Sequence, residues 1–577
     1  MRGSDAIVRM LIAHGVEYVF GVPGDTSMNF HDAFSQATDK ITHVTCRDER
    51  SAAFMADGYA RVRGKPGVVE VPSGGGALYV VPGVSEANVS SIPLICLSSD
   101  ITMSSEETNA LTDANQEYLF KTITKWNCKI RDASKIPQLL RKAFRMATGG
   151  IPGAVHVSVP ENIHALEVDF SPEALRGSQY TAHKCPFKNE PDAEDIGKAV
   201  KMFLKASRPV IIAGGGVHLS SAYEELEQFC DEFRVPVATS VNGKGSIQEF
   251  SPYAVGVIGA NGGSEETNNI VYESDLVLVL GSKLNNVTTM GKAVFNDTVK
   301  IIQVDIGEEV LDHNVPVDLP VLSDIRSFLT KLKSAMQAAK EKFVGKFDEW
   351  NRYIQKKVKE KRSRIETESK IENENVHPAK IFTVLEQVTD DNTIFVADAG
   401  TPTPYLASYL RVKKAGRNTI MPRGHGGLGY ALPAAIGAKL AKPEVTVIAL
   451  FGDGSFGMSV GELETAKRLG LPIVFINFQN HSYGWIKTIQ RLYYNKNYFA
   501  VDFTPIDAVK IAEGFGIKGK CIESNSDLEE GIKWAISQNS PVLLDIMIEP
   551  PTKVIPPVLK WERDSKIPPA KRKKLTY

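Results

Sequence analysis

The 577-residue chain has no long hydrophobic run. Nothing in it approaches the ~20 apolar residues of a spanning helix. Its first residues pass directly into a helical pattern (Ser4 to His14) that already carries Asp5 and Arg9. Neither a membrane span nor a secretory leader is expected. A charge bias is missing too: 67 Lys and Arg against 68 Asp and Glu leave a net charge of −1. That excludes a general nucleic-acid or polyanion surface. The run Lys571-Arg572-Lys573-Lys574 reads as a solvated tail. Cysteine is sparse: six residues (Cys46, Cys96, Cys128, Cys185, Cys230, Cys521), with no CxxC and no paired spacing. This argues for a reducing, cytoplasmic setting and against a metal cluster. What is present is an ordinary globular composition, 43% hydrophobic and 23% charged, on a chain long enough for roughly three or four domains.

Strand-like runs alternate with helical ones almost throughout, which predicts an α/β protein of doubly wound parallel sheets. Residues 1–180 hold one set of units and end in a polar, Pro-containing segment (Ser171 to Pro191). Residues 192–330 hold a second, opening with the strand Pro209 to Ala213 and then Gly214-Gly215-Gly216. A charged, helix-favouring stretch follows over 331–376, without Pro from Leu332 to Lys370, and reads as an inter-domain helix on the surface. The third set spans 377–549, and a Pro-rich tail, 550–577, is expected to wrap over a surface.

The richest stretch runs from Val445 to Tyr483. A β-branched run ends in Gly452-Asp453-Gly454, an amphipathic helix follows, and the strand Pro472 to Phe478 delivers Asn480. This is one βαβ unit with a carboxylate at the end of its first strand and an amide at the end of its second. In an open parallel sheet both strand ends face one crevice. Magnesium takes oxygen ligands, commonly one or two carboxylates plus phosphate oxygens. The glycines let the backbone approach those phosphates, and the helix N-terminus offers N–H groups. Gly-Asp-Gly alone also fits an ordinary strand–turn–helix; Asn480 on the next strand end is what turns the reading toward a diphosphate–magnesium site.

Gly-Asp-Gly followed by Asn at this spacing resembles the motif of thiamine diphosphate enzymes. The resemblance extends to Arg47-Asp48-Glu49 and Gly58-Tyr59-Ala60-Arg61, to Phe20-Gly21-Val22-Pro23-Gly24-Asp25, and to the stretch Arg417 to Gly437. It implies three domains in the order pyrimidine-binding, middle and diphosphate-binding. By it, Asp453, the Asn480 side chain and the Ser482 backbone oxygen hold magnesium. Gly452, Gly454, Ser455, Tyr483, Thr401 and Thr403 line the cofactor, with Gly454 and Ser455 against the diphosphate and both threonines in contact with it. Glu49 falls on the carboxylate that drives the aminopyrimidine into its imino form. On the residues alone it is only a helix first-turn carboxylate. Leu428 falls on the wedge that bends the cofactor, and Gly426 on a carbonyl that accepts from its amino group. Asp25 is a proton carrier or a turn residue. His425 faces the substrate or points away. The family also implies a homodimer at least, often a homotetramer.

The chain looks most like the acetolactate-synthase branch, as in Thr124-Lys125-Trp126-Asn127 and Leu432 to Gly437, with a benzoylformate-decarboxylase-like cofactor segment. That implies decarboxylation of a 2-oxo acid and carboligation of the product to a second carbonyl. Departures from the branch include Leu111-Thr112-Asp113 in place of Phe-Gln-Glu, Ile489 in place of a Trp, and Ser73-Gly74-Gly75-Gly76 in place of Ser-Gly-Pro-Gly. Non-oxidative decarboxylation, 2-hydroxyacyl-CoA cleavage and thiamine binding without turnover stand as alternatives. No two His are adjacent, Ile486 stands where pyruvate decarboxylases have Glu, and Pro72 stands where benzoylformate decarboxylase has His. A site poor in acids favours carboligation, because a poised acid would otherwise protonate the intermediate. In the middle domain, Ser274 to Lys283 and Ile302 to Ile306 resemble segments that hold FAD or ADP. Gly214-Gly215-Gly216 is not GxGxxG and also fits plain packing.

Overall fold

Short β-branched runs bounded by glycine and polar turns form eighteen strands in three sheets. The computed structural model describes residues 1–178 and 185–572. Residues 179–184 of the polar segment, and Lys573 and Lys574 of the basic run, lie outside the described residues. The first sheet contains β1 (Tyr18–Gly21), β2 (Thr42–Thr45), β3 (Gly67–Val71), β4 (Leu94–Asp100), β5 (Trp126–Lys129) and β6 (Ala154–Pro160). The second contains β7 (Pro209–Ala213), β8 (Val237–Thr239), β9 (Ala254–Val257), β10 (Leu276–Leu280), β11 (Lys300–Asp305) and β12 (Leu319–Leu322). The third contains β13 (Ile394–Ala397), β14 (Thr419–Ile420), β15 (Val447–Gly452), β16 (Ile473–Gln479), β17 (Lys518–Ile522) and β18 (Val542–Met547).

The sheets are parallel and doubly wound, as expected. Their strand orders are β2-β1-β3-β4-β6-β5, β12-β11-β10-β7-β8-β9 and β14-β13-β15-β16-β18-β17. The first and third share one wiring diagram, whose order reverses beside their first strand, between β1 and β3 and between β13 and β15. The second is the doubly wound order that reverses between β7 and β10. Loops leaving the carboxyl ends of strands at such a reversal form the crevice where α/β sheets bind ligands. Central strands such as β4 and β10 are buried along their whole length, as helices on both faces require.

The chain divides into two compact units. One comprises Met1–Phe187, Pro422–Val447 and Ser455–Ile473; the other comprises Lys188–Met421, Ile448–Gly454 and the chain from Val474 on. In the first unit, the helix Glu49–Arg63 is the most tightly gripped element. Asp48 caps it by accepting the Ser51 N–H at 3.0 Å, and Gly64 closes it at φ +72°, a conformation that favours glycine. Around it, neighbours approach where only glycine fits. A Cβ on Gly58 would stand 2.2 Å from the Ala434 carbonyl oxygen, one on Gly437 1.9 Å from that of Met55, and one on Gly67 2.1 Å from that of Ala56.

In the second unit, the charged stretch expected as a surface helix is instead two helices, Ile325–Gln337 and Asp348–Ser369. Phe328, Leu329, Leu332, Met336, Phe343 and Phe347 pack into the core on one face of the second sheet. Trp350 and Ile354 enter the core on the other face, and Ile365 joins that of the third sheet. Its apolar residues are sparse but fall on one face, and Lys and Glu fill the rest, so composition masked the stripe. In the Pro-rich tail, the helix Leu559–Ser565 buries Trp561 against Trp485, ring centroids 4.3 Å apart. Among the described residues no helix is long and apolar enough to cross a membrane, and none of the six cysteines is in a disulfide.

Candidate functional site

In the second unit, β15 ends at Gly452 and Asp453 opens the next helix. Asp453 is buried, and its Oδ2 accepts the Asn480 N–H at 2.9 Å and the Ser482 N–H at 3.4 Å. Its Oδ1 is buried with no partner. The Asn480 Oδ1 accepts the Ser482 hydroxyl at 2.6 Å, and the Ser482 carbonyl accepts the Gly484 N–H at 2.8 Å. Each of those oxygens keeps a second lone pair. Burial pushes the Asp453 carboxyl up, against the two backbone N–H groups that favour its anion. A buried carboxylate with one orphaned oxygen beside an amide oxygen and a backbone carbonyl is a hard-oxygen donor set. It fits magnesium, which completes its shell with phosphate and water.

The loop that carries these oxygens is tightly constrained. His481 takes φ +53°, which lets the chain turn back on Asp453. A Cβ on Gly454 would stand 2.4 Å from the Tyr483 ring, so only glycine lets that ring lie across the loop. Tyr483 in turn packs edge-on against Phe503 at 4.5 Å. At the end of β13, Thr401 and Thr403 are both buried, and the Thr403 hydroxyl donates to the Asp398 carbonyl at 2.7 Å. Thr403 therefore braces the turn with the hydroxyl that was expected to face a diphosphate.

The first unit carries the other predicted residues. Glu49 is the first residue of its helix and is half-buried. Burial pushes its carboxyl up, and the nearby anions Asp48 and Glu70 add to this against its own backbone N–H. Its Oε1 lies 3.2 Å from where a Cβ would stand on Gly76, at the start of the helix Gly75–Tyr79 that follows β3. The loop after β1 meets the same place. A Cβ on Gly24 would stand 2.5 Å from the Pro72 ring, and Thr26 Oγ1 accepts the Ser73 N–H at 3.0 Å and donates to Ser73 Oγ at 3.1 Å. Asp25, exposed in the turn Asp25–Ser27, hangs beside that junction. The Ser73 hydroxyl donates to Thr112 at 2.7 Å, so the departing segment Leu111-Thr112-Asp113 lies on the same loop.

His425 lies in the loop before the helix Ala431–Ala441. Its Nε2 is 2.7 Å from Ser85 Oγ. Gly426 takes φ +67°, and Leu428 is partly buried before Gly429 at φ +80°. Ser455 is buried one turn into the helix that Asp453 opens.

Three carboxylates around these residues were not foreseen. Glu86, buried, accepts the Gly424 and His425 N–H groups at 2.8 and 2.7 Å and so fixes that loop. Glu462, buried, accepts the Arg47 N–H at 3.0 Å and the Thr465 hydroxyl at 2.6 Å; burial pushes it up to about 7. Asp545, in the second unit, accepts from Asn477 at 2.9 Å and from the Gln479 amide at 2.9 and 3.1 Å. Burial, with Asp453 adding to it, pushes Asp545 up to about 7. The partners are far apart in sequence, so no local motif marks them. An acidic residue inside an apolar run, as at Asp545, is the one available signal.

In the middle sheet, a Cβ on Gly214 would stand 2.2 Å from the Gly281 carbonyl oxygen, and one on Gly216 2.6 Å from the Gly281 Cα. Two of the three glycines thus serve loop-to-loop packing at the β7/β10 reversal. Asp305, at the end of β11, is pushed up to about 6 by burial.

Comparison with known proteins agrees with this arrangement. Residues 1–119 match the N-terminal TPP binding domain of thiamine pyrophosphate enzymes, 196–332 their central domain and 398–546 their C-terminal TPP binding domain. The probable acetolactate synthase large subunit of Methanococcus aeolicus is 33% identical, covering 97% of this chain and 94% of its own. That of Methanocaldococcus jannaschii is also 33% identical, over 95% and 92%. The acetolactate synthase isozyme 3 large subunit of Escherichia coli (strain K12) is 29% identical, over 96% of each.

Proposed function

The chain belongs to the thiamine pyrophosphate enzymes, among the acetolactate synthase large subunits, and on that premise we propose that it decarboxylates a 2-oxo acid and ligates the remnant to a second carbonyl compound. The observation that carries the cofactor side of this reading is Asp453: a buried carboxylate with one unpartnered oxygen, braced by Asn480 and Ser482. Asp453, Asn480 and the Ser482 carbonyl hold magnesium. Gly452, Gly454 and Ser455 give the diphosphate its approach, Tyr483 closes the loop over it, and Thr401 contributes from the end of β13. Thiamine diphosphate, when bound, supplies a nucleophilic carbon that attacks the 2-oxo group and stores the electron pair left by departing CO₂.

The chain's own residues govern protons and geometry. Glu49 shares a proton with a ring nitrogen of the pyrimidine; the upward push on its carboxyl supports that role, since a proton-sharing acid must hold its proton near neutrality. The Gly426 carbonyl would accept from the pyrimidine amino group, and Leu428 would be the apolar wedge against the cofactor. Glu86 fixes the loop that bears both through two N–H contacts. Asp25 and His425 are the candidate proton carriers. Carboligation follows if neither protonates the intermediate before a second carbonyl arrives. The reading extends to a homodimer at least, with a homotetramer as the expected form, and to the cytoplasm, which six cysteines outside any disulfide support.

The test is a panel of 2-oxo acids incubated with the protein, thiamine diphosphate and magnesium, with CO₂, aldehyde and acyloin all measured. The expected result is CO₂ matched by acyloin. Aldehyde in place of acyloin would replace ligation with simple decarboxylation, and no CO₂ from any acid would overturn the reading. A flavin absorption band in the purified protein would add FAD to the middle domain.

A further inference from the structure

A second constellation lies in the first unit, and none of its three side chains holds the cofactor or the ion proposed above. The helix Met28–Ser35 carries His31, β2 carries His43 and β3 carries Glu70. In sheet order β2-β1-β3, the His43 and Glu70 strands are separated by β1, whose Gly21 is paired with Thr45 on one side and Glu70 on the other. A Cβ on Gly21 would stand 2.4 Å from Glu70 Oε1. Its absence lets the carboxylate reach across β1 toward β2. His31 descends from the helix onto the same point, so three elements converge there.

The geometry is that of ligands more than of a hydrogen-bonded cluster. Both imidazole Nε2 atoms aim at the same carboxylate oxygen, His43 at 2.9 Å and His31 at 3.1 Å. The His31 contact is too misaligned for a hydrogen bond, and Glu70 Oε2 is buried without a partner. The Glu70 side chain is 1% exposed, and the His31 and His43 side chains are 18% and 12% exposed. The three ligand atoms lie within 4.8 Å of one another. Around an ion with bonds near 2.0–2.2 Å, tetrahedral ligand atoms stand roughly 3.3–3.5 Å apart, so the two carboxylate–imidazole contacts need open by only a few tenths of an ångström to admit one. Burial works to raise the Glu70 carboxyl, but the two imidazoles outweigh it and hold it below the usual range. Thr45 Oγ1 lies 3.4 Å from His43 Nδ1, placed to accept from that nitrogen and leave Nε2 bare for a metal. Phe34 packs against both rings, at 5.5 and 6.4 Å, and shields the pocket.

We propose that His31 Nε2, His43 Nε2 and a Glu70 carboxylate oxygen form a mononuclear site for a borderline divalent transition ion, zinc being the best fit. Two imidazoles and one carboxylate, with a fourth position open to water through the partly exposed rings, suit zinc and its cobalt surrogate. The same donors suit magnesium poorly, since it demands oxygen ligands. The absence of paired cysteines has no bearing on this site, which uses none. An ion here clips the helix Met28–Ser35 to β2 and β3. These are the elements whose loops carry Asp25 and Glu49.

The experiment uses the full chain loaded with thiamine diphosphate and magnesium, stripped of transition metals with a chelating resin and titrated with zinc alone or cobalt alone. The expected result is one equivalent of zinc retained through desalting, a rise in Tm on zinc addition, and visible ligand-field bands from cobalt in a low-coordinate nitrogen–oxygen site. His43→Gln and Glu70→Gln should each lose the stoichiometric equivalent and the Tm rise. His313→Gln, at an exposed position, should keep both. Circular dichroism establishes that each variant is folded, and the cobalt spectrum of the unmutated chain tests the site without any variant. Retention of far less than one equivalent, an octahedral cobalt spectrum, or binding that survives both substitutions would overturn the proposal.

Discussion

At the residue scale, the two halves of the proposed chemistry make separable predictions. Glu49→Gln keeps shape and loses the shared proton. Turnover of any accepted substrate should fall by about 10²–10⁴-fold, while magnesium-dependent cofactor binding, followed by tryptophan fluorescence or calorimetry, changes little. Asp453→Asn should do the reverse in order of cause. It removes the one anionic ion ligand, so the magnesium concentration needed for cofactor binding should rise by at least the 10–100-fold typical of losing even an outer-shell partner. Equal magnesium dependence in the two variants would refute the division of labour. Residues of this kind could be singled out in the sequence because Asp453 stands between glycines at a strand end and Glu49 opens the helix that follows β2. Glu86, Glu462 and Asp545 were not. Their contacts with Gly424, Arg47 and Asn477 are made across the fold, and a chain read in one dimension offers no trace of them.

At the element scale, the helix Glu49–Arg63 shows how the catalytic carboxylate is aimed. Its position depends on neighbouring backbones pressing to within van der Waals contact at Gly58, Gly67 and Gly437. Gly437→Ala meets backbone, which cannot rotate away, and should cost about 1–3 kcal/mol of stability, read from urea unfolding. Gly470→Ala, at a turn with open space, would be limited to the strain of its φ of +61°. The elements themselves were mostly readable. The strand Pro209–Ala213 falls where its β-branched run predicted, and β15 and β16 shift by a residue or two from the expected runs. The charged stretch after the second sheet misled because helix period, not mean polarity, decides burial. Phe343, Phe347 and Trp350 enter the core among many Lys and Glu.

At the scale of the whole molecule, buried ionisable groups set the pH response. Glu462 is pushed up to about 7 by burial, above the ~4.3 of a free glutamate. Between those two values the folded protein keeps a proton that the unfolded chain has released, so this group's contribution falls as pH rises through that window. Glu462→Gln is nearly isosteric, still accepts from Arg47 and does not titrate. Its stability advantage over the unmutated chain should grow from near zero below pH 4 to about 3 kcal/mol at pH 8, measured by denaturant midpoints. In the opposite direction, His156 and His164 are held neutral by burial, down to about 3 and about 4. Unfolding lets them charge, so acid below about pH 6.5 should destabilise the fold, and lower pH more so. The α/β class and three sheets were legible because parallel strands carry dense apolar runs. Strand order was not, because crossover choices leave no composition signature.

The shared wiring of the first and third sheets has an evolutionary reading. Two copies of one six-stranded plan, joined in one polypeptide, are what an ancestral duplication leaves behind once the copies diverge. On the proposed function, each copy's rim of loops took a different trade: one a proton-handling acid, the other the oxygens that would hold an ion. A whole sheet-and-helix module exchanged with that of a relative would respect this history, whereas grafting single loops across the two copies would not.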